Sequence, residues 1–86
     1  MTPTAAVSVM QKQIIQKLYI HSYIGAKHTS QENIPKNFPK HLRGQAKKEL
    51  QQLIKQDIIN QHPTSYEPQI SLNPKKIEYI KKILEL

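Results

Sequence analysis

Residues 39–57, PKHLRGQAKKELQQLIKQD, constrain the fold of this chain more than any other stretch. At about 100° per residue, the apolar positions of this stretch fall on one side of a helix, at a spacing of i, i+4, i+8 and i+11. That stripe is how an amphipathic helix docks on a core. We therefore predict one long helix over residues 39–57, which Asn37 is placed to cap. Its core side consists of Leu42, Ala46, Leu50 and Leu53, with Ile54 at the edge.

The opposite side of this predicted helix carries almost only cations and amides. Lysine and arginine bind phosphates, and arginine and glutamine also hydrogen-bond the edges of bases. Any surface helix has a solvated polar face, so the pattern alone leaves both interpretations open. The outward residues are Lys40, His41, Gly44, Lys47, Lys48, Gln51, Gln52 and Lys55.

The charge of the chain favours the functional interpretation. Its 86 residues contain 13 Lys and Arg against 6 Asp and Glu, which gives a net charge of +7. A positive excess of this size attracts polyanions, and nucleic acid is the first candidate. The excess is concentrated near the predicted helix, because residues 27–55 hold seven cations and only two anions, Glu32 and Glu49.

Several functional classes are excluded by what the sequence lacks. There is no Cys, the four His residues have no i, i+4 pair, and the acidic residues are scattered. We therefore expect no metal, no cofactor and no enzymatic activity. No apolar segment approaches the roughly 20 residues of a membrane span. The first ten residues do not form a signal peptide, so we expect a cytoplasmic protein that does not contact the membrane.

The first helix is predicted to begin near Ser8, which has capping-box spacing with Gln11. Earlier starts at residues 2–3 or at Thr4 remain open. Gly25 is the natural residue to end this helix, because glycine readily adopts the left-handed conformation found just past helix ends.

A short extended link over residues 26–28 is expected to follow. Thr29 and Glu32 again have capping-box spacing, which predicts a second helix over residues 30–34. Pro35 ends that helix.

After residue 57 the pattern changes from helix to strand. Residues 58–62 and 69–72 are predicted strands, and residues 63–68, which contain two prolines, form the loop between them. A hairpin of this kind is a two-stranded wing. Asn73 followed by Pro74 is a helix start, and the last helix continues to the end of the chain.

This order of elements predicts a mainly α single domain over residues 1–86 with a small β-hairpin: a winged helix-turn-helix. The sequence resembles the small archaeal winged helix-turn-helix proteins described as DNA-binding. Residues 27–59 and the segment PTSYEPQISLNP, residues 63–74, carry the resemblance. It implies the fold and a nucleic-acid-binding class, without a known target.

Two positions depart from that family. Asp57 stands where many winged helices have glycine, and aspartate tolerates the left-handed conformation better than most residues. The wing tip lacks glycine and carries Glu67, which makes it stiffer and less cationic than a wing that grips phosphates.

Three candidate contacts leave alternatives open. Arg43 either bonds guanine, pairs with Glu49 or extends its stem along the apolar face. Gly44 either admits a close sugar-phosphate backbone or is a tolerant surface position. Tyr66 either stacks on a base or folds back onto the hairpin. The full predicted nucleic-acid-binding set is Lys27, His28, Lys36, Lys40, His41, Arg43, Gly44, Lys47, Lys48, Gln51, Lys55 and Tyr66.

Three functions remain at this point. The first is binding of double-stranded DNA by residues 39–57 in the major groove, in a transcription-regulator or chromatin-type role. The second is an RNA-binding module associated with ribosomes or tRNA, and the third is a protein-interaction domain with a solubilising basic face. A regulator that reads a palindrome must dimerise. The expected dimer surface is Tyr19, Ile20, Tyr23 and Ile24 with Tyr79, Ile83 and Leu86 of the last helix.

Overall fold

The computed structural model describes residues 7–86. The earlier helix starts considered at residues 2–4 lie outside these residues. The described helices are α1 Val9–Ile20, α2 Asn33–Lys36, α3 Arg43–Lys55 and α4 Ile77–Leu84, and the strands are β1 Thr29–Ser30, β2 Ile59–His62 and β3 Gln69–Leu72. Short 3₁₀ turns, Lys40–Leu42 and Pro74–Lys76, lead into α3 and α4.

Helix α1 starts as predicted and ends earlier than predicted. The Gln11 N–H donates to Ser8 Oγ at 3.1 Å, and the Ser8 N–H donates to Gln11 Oε1 at 3.2 Å, which is the predicted capping box. The helix ends before Gly25, because Ser22 adopts the left-handed conformation with φ 59°. The Tyr23 N–H then donates to the Leu18 carbonyl at 2.9 Å and closes the helix end.

A third strand joins the predicted hairpin. The antiparallel sheet has the order β1-β3-β2, with Ser30 opposite Gln69 and His62 opposite Gln69 on its other side. The prediction of a two-stranded sheet therefore missed β1. Helix α2 also begins later than predicted, so Pro35 lies in its first turn, where its missing N–H is not needed.

The central helix is shorter than predicted, because it begins at Arg43 and ends at Lys55. A 3₁₀ turn occupies Lys40–Leu42, and Asn37 caps the end of α2 instead of the start of α3. The Asn37 Nδ2 donates to the Asn33 carbonyl at 2.8 Å. Asp57 has φ 61°, which confirms that it takes the left-handed position between α3 and β2.

The core lies between α1, α3, α4 and one face of the sheet. Helix α3 enters it through Ala46, Leu50 and Leu53, which are 0%, 1% and 0% exposed. Burial of this stripe fixes the rotation of α3 about its own axis, because rotating it would expose the leucines to water. Asn73 closes the far end: its Oδ1 accepts from the Lys75 N–H, and its Nδ2 donates to the Asp57 carbonyl at 2.8 Å. The architecture is the predicted winged helix-turn-helix.

Candidate nucleic-acid interface

The outward face of α3 is an exposed polar strip. Its buried stripe turns the opposite side to solvent, and every residue predicted to face outward there is exposed. We call this set the α3 face and define it as Gly44, Lys47, Lys48, Gln51 and Lys55. Its three lysines lie on a helix that the core holds in place, so their positions do not depend on a mobile loop.

No carboxylate neutralises the lysines of the α3 face. Within residues 7–86, the ion pair found joins Lys12 Nζ to Glu85 Oε2 at 3.1 Å, far from this helix in the sequence. Glu49 lies on α3 itself but turns towards α1, where Gln11 Nε2 donates to it at 2.7 Å; Gln45 Nε2 donates to its other oxygen at 2.8 Å. The positive charge of the face is therefore available to an external anion.

One edge of the α3 face borders a shallow groove. Lys47 and Gln51 line this groove together with Gln31 and Glu32, which precede α2, and with Pro35 in its first turn. Glu32 is an acidic side chain on this rim, so the groove edge is less positive than the middle of the face. Lys48 lies on the opposite edge of the α3 face, away from this groove.

Arg43 supports the turn of the helix-turn-helix. Its Nε donates to the Phe38 carbonyl at 3.0 Å, and its Nη2 reaches the Lys36 carbonyl at 3.5 Å. The side chain is half-buried. It does not pair with Glu49, whose carboxylate accepts from Gln11 and Gln45 instead. Arg43 holds the segment between α2 and α3, and this role was missed because main-chain acceptors leave no pattern in a sequence.

Gly44 is not required by the fold. A Cβ added to it would meet no atom of the described residues within 4 Å, and its φ is not in the left-handed region. A glycine in a helix costs up to about 1 kcal/mol relative to alanine. The structure therefore offers no internal reason for a residue without a side chain at this exposed position.

The remaining predicted cations are dispersed. Lys36, Lys40 and His41 are exposed near the turn that precedes α3. Lys27 lies elsewhere, with its Nζ 5.5 Å from the centroid of the Tyr23 ring. Lys27 thus lies against an aromatic ring of the segment that follows α1.

His28 belongs to the sheet rather than to the basic helix. Its ring centroid lies 5.1 Å from that of His62, and its Nδ1 is 3.2 Å from Gln69 Oε1. The buried Ser71 hydroxyl donates to the Gly25 carbonyl at 2.9 Å, so His62 Nε2 must donate to Ser71 Oγ at 2.9 Å. The sequence analysis did not foresee this network, because it joins three segments through the register of the sheet.

The wing tip is an ordered turn that projects Tyr66. Thr64 Oγ1 accepts the N–H groups of Tyr66 and Glu67 at 3.3 and 3.1 Å, and donates to the Glu67 carbonyl. Tyr66 is 97% exposed. Tyr66 therefore does not fold back onto the hairpin, and its stacking on a base stays a prediction. The Glu67 carboxylate turns back to accept from Ser30 Oγ at 2.7 Å, so it does not project from the tip.

The predicted dimer surface is only partly available. Four of its members pack against the core, and Ile83 is 4% exposed, so it is a core residue of α4. The two that remain exposed are Ile20 at 66% and Leu86 at 72%. The exposed Val9, at 77%, was missed. The packed members are Tyr19, Tyr23, Ile24 and Tyr79.

Two kinds of feature are absent from residues 7–86. No cluster of His, Cys, Asp or Glu suited to a metal ion is found among them. None of the described helices is long and apolar enough to cross a membrane.

Comparison with known proteins places the fold and leaves the family open. No family model matches the chain, and no curated protein matches it. A solved structure, TubR from Bacillus megaterium pBM400, superimposes with a TM-score of 0.82 at 12% sequence identity, covering 96% of this chain and 92% of that chain. The likeness confirms the winged helix-turn-helix fold. It gives no support to the archaeal family that the sequence resembled.

Proposed function

We propose that this protein binds double-stranded DNA with the α3 face in the major groove. The observation that carries the proposal is the rigid display of Lys47, Lys48 and Lys55 on a helix whose other side is buried, and none of the three forms an ion pair within residues 7–86. The winged helix-turn-helix fold, which this chain shares with TubR, is one in which a helix enters the major groove of DNA, and this supports DNA as the partner.

The geometry of α3 suits a duplex. A helix fits the major groove of B-form DNA, and adjacent residues on it point about 100° apart. Lys47 and Lys48 therefore flank the middle of the face and are placed to meet phosphates of opposite strands. Gln51 lies between them and carries the amide that can bond adenine N6 and N7.

A regulatory, non-enzymatic role follows from this proposal. Helix-turn-helix domains that read DNA through one helix are common in repressors and other regulators, and transcription regulation is the role we propose. The protein would then act on the nucleoid in the cytoplasm. Lys36, Lys40 and His41, exposed beside α3, are proposed to contact the phosphates that flank the groove.

Competition between duplex DNA and total cellular RNA for the purified protein tests the choice of nucleic acid. We expect unlabelled duplex DNA to displace a labelled duplex at lower nucleotide concentration than RNA does. Preferential displacement by RNA would replace the proposal with RNA binding. Absence of any binding at moderate salt would leave the basic face as a solubilising surface of a protein-interaction domain.

Gly44→Ala is expected to move stability and binding in opposite directions. The new methyl group enters open space, so the free energy of unfolding should rise by up to about 1 kcal/mol. If a sugar-phosphate backbone approaches Gly44 closely, DNA affinity should fall by several-fold. Urea denaturation and DNA titration measure the two effects. Higher stability with unchanged DNA affinity would show that no sugar-phosphate backbone closely approaches Gly44.

We further propose that two copies associate through an uncharged strip on α1. At helical spacing Val9, Gln13, Gln16 and Ile20 share one exposed side, with no charged residue among them. Two copies of a chain with net charge +7 repel each other, and a neutral strip is where they approach at the least electrostatic cost. A dimer would present two α3 helices to one duplex.

Ile20→Glu tests the α1 strip. The added carboxylate would have to lose its water of hydration in a dimer, so the variant should sediment as a monomer while wild type sediments as a dimer at high concentration. Gln16→Ala, on the same strip, is the control and should remain dimeric. A monomeric wild-type protein would contradict the proposal directly.

A further inference from the structure

A cleft of about 370 Å³ lies between α1 and the segment that joins α2 to α3. A volume of this size falls within the range of small-molecule sites, which begins at about 300 Å³. The α3 face contributes no residue to its lining, so the proposed DNA contact leaves this cleft unused. Most of the lining is apolar and consists of Ile14, Ile34, Phe38, Pro39 and Leu42.

Leu42 shows that the protein does not fully cover this apolar surface. Its spacing predicts a place in the core stripe, but it lies in the 3₁₀ turn before α3 and is half-buried. Ala46 and Leu50 of the same stripe are 0% and 1% exposed. Phe38 is also half-buried, at the edge of the core. Because covering apolar surface removes it from water, an apolar ligand that fills the cleft gains free energy there.

An ammonium group and two amides form the polar rim of the cleft. Lys17 is exposed on α1, one turn after Gln13, and both line the cleft. Asn37 comes from the other side, where its Nδ2 donates to the Asn33 carbonyl at 2.8 Å and so holds the side chain in place. No Asp or Glu of residues 7–86 lines the cleft, and Lys17 forms no ion pair within that range. The rim therefore favours an anion.

A second cleft continues from the first and adds positive charge at their boundary. The two share Lys17, Ile34 and Asn37, and the second is also lined by Lys36 and His21. Among the described residues, its lining again includes no carboxylate. The apolar lining thus lies in the first cleft, and the cations gather where it meets the second. This arrangement is complementary to a ligand with an apolar body and one anionic group.

We infer that the first cleft binds a small aromatic carboxylate, with the ring on the apolar lining and the carboxylate towards Lys17. Aromatic rings pair favourably with one another, which suits the ring to Phe38. An ammonium group donates a charge-assisted hydrogen bond to a carboxylate. The Phe38 carbonyl accepts from Arg43 Nε at 3.0 Å, so the ligand rests on the segment that leads into α3. The site goes beyond the proposed function, because it uses no residue of the α3 face.

Nuclear magnetic resonance of methyl-labelled protein without DNA tests the site. The probes are benzoate, phenylacetate and naphthoate, each compared with its uncharged amide, and acetate as the anionic group alone. We expect at least one aromatic carboxylate to shift the methyl resonances of Ile14, Ile34 and Leu42, with a dissociation constant of about 0.1–10 mM. Resonances of Ile70, in the sheet, should stay in place. The matching amide should bind more weakly, and acetate should not shift the three methyls.

The inference fails if no aromatic carboxylate shifts the three cleft methyls at about 10 mM, the weak end of the expected range. It also fails if the shifts fall on other parts of the molecule, or if the amides bind as well as the carboxylates. Because no DNA is present, any of these results leaves DNA binding by α3 untouched. Absence of DNA binding would likewise leave the ligand site standing.

Lys17→Gln tests the anchor of the carboxylate. This variant should bind the aromatic carboxylate about 2- to 5-fold more weakly, as expected for an exposed ion pair, and should bind the amide like wild type. Lys76→Gln is the control, because it removes the same charge at an exposed residue outside both clefts. An unchanged affinity in Lys17→Gln, or an equal loss in both variants, would show that Lys17 does not hold the anion. Thermal denaturation confirms that each variant is folded at the temperature of the titration.

Discussion

Replacing Lys47 and Lys48 together by glutamine is expected to weaken duplex DNA binding by about 10- to 100-fold at moderate salt and to lower the salt slope by about two. Each lysine is exposed and forms no ion pair with another residue of the range 7–86. Each phosphate contact releases about one counterion, so two lost contacts remove about two units from the slope of log affinity against log salt. Titration across a series of salt concentrations measures both quantities.

The control for this variant is Lys81→Gln with Lys82→Gln. These lysines are also neighbours on a helix, α4, and their loss changes the net charge of the protein by the same amount. The control should retain the slope of wild type apart from a small general loss of affinity. Equal effects in the two double variants would show that overall charge, and not the α3 face, attracts the DNA.

Leu50→Ala is expected to lower the free energy of unfolding by about 3–5 kcal/mol. Leu50 is 1% exposed and holds α3 on the core. A domain of this size has a total stability near the lower end of about 5–15 kcal/mol, so the variant should be partly unfolded at modest temperature. Urea denaturation followed by circular dichroism gives the midpoint and the slope.

Leu86→Ala is the matched control, because it makes the same chemical change at a residue that is 72% exposed. It should change stability by no more than about 0.5 kcal/mol. A small loss in Leu50→Ala, similar to that of the control, would mean that α3 is not held by its leucine stripe. The rigid display of the α3 face would then lose its physical basis.

Features that depend on neighbouring residues were predictable from the sequence. Ser8 and Gln11 are three residues apart, and the capping box they form needs nothing beyond the first turn of α1. The left-handed Asp57 follows in the same way from a helix that must stop before a strand. The outward lysines of α3 follow from helical periodicity, because burial of the leucines leaves only one side for the cations.

Features that depend on distant partners were not predictable. Strand β1 has two residues, too few for a period-two pattern, and it is a strand only because β3 lies beside it. Ile83 and Leu84 are adjacent and both apolar, so only the tilt of α4 on the core decides that Ile83 is fully buried while Leu84 is half-buried.

The sequence by itself determined the helical and strand periods, the helix starts at Ser8 and Asn73, and the positive outward side of α3, since each follows from spacing along the chain. Only the tertiary structure decided that Arg43 binds the carbonyls of the turn, that Tyr66 projects, and that Gln31 bonds Gln61 of β2. These choices depend on where main-chain carbonyls and strand edges lie in space. Such acceptors are present at nearly every residue, so the sequence cannot indicate which of them a side chain will meet.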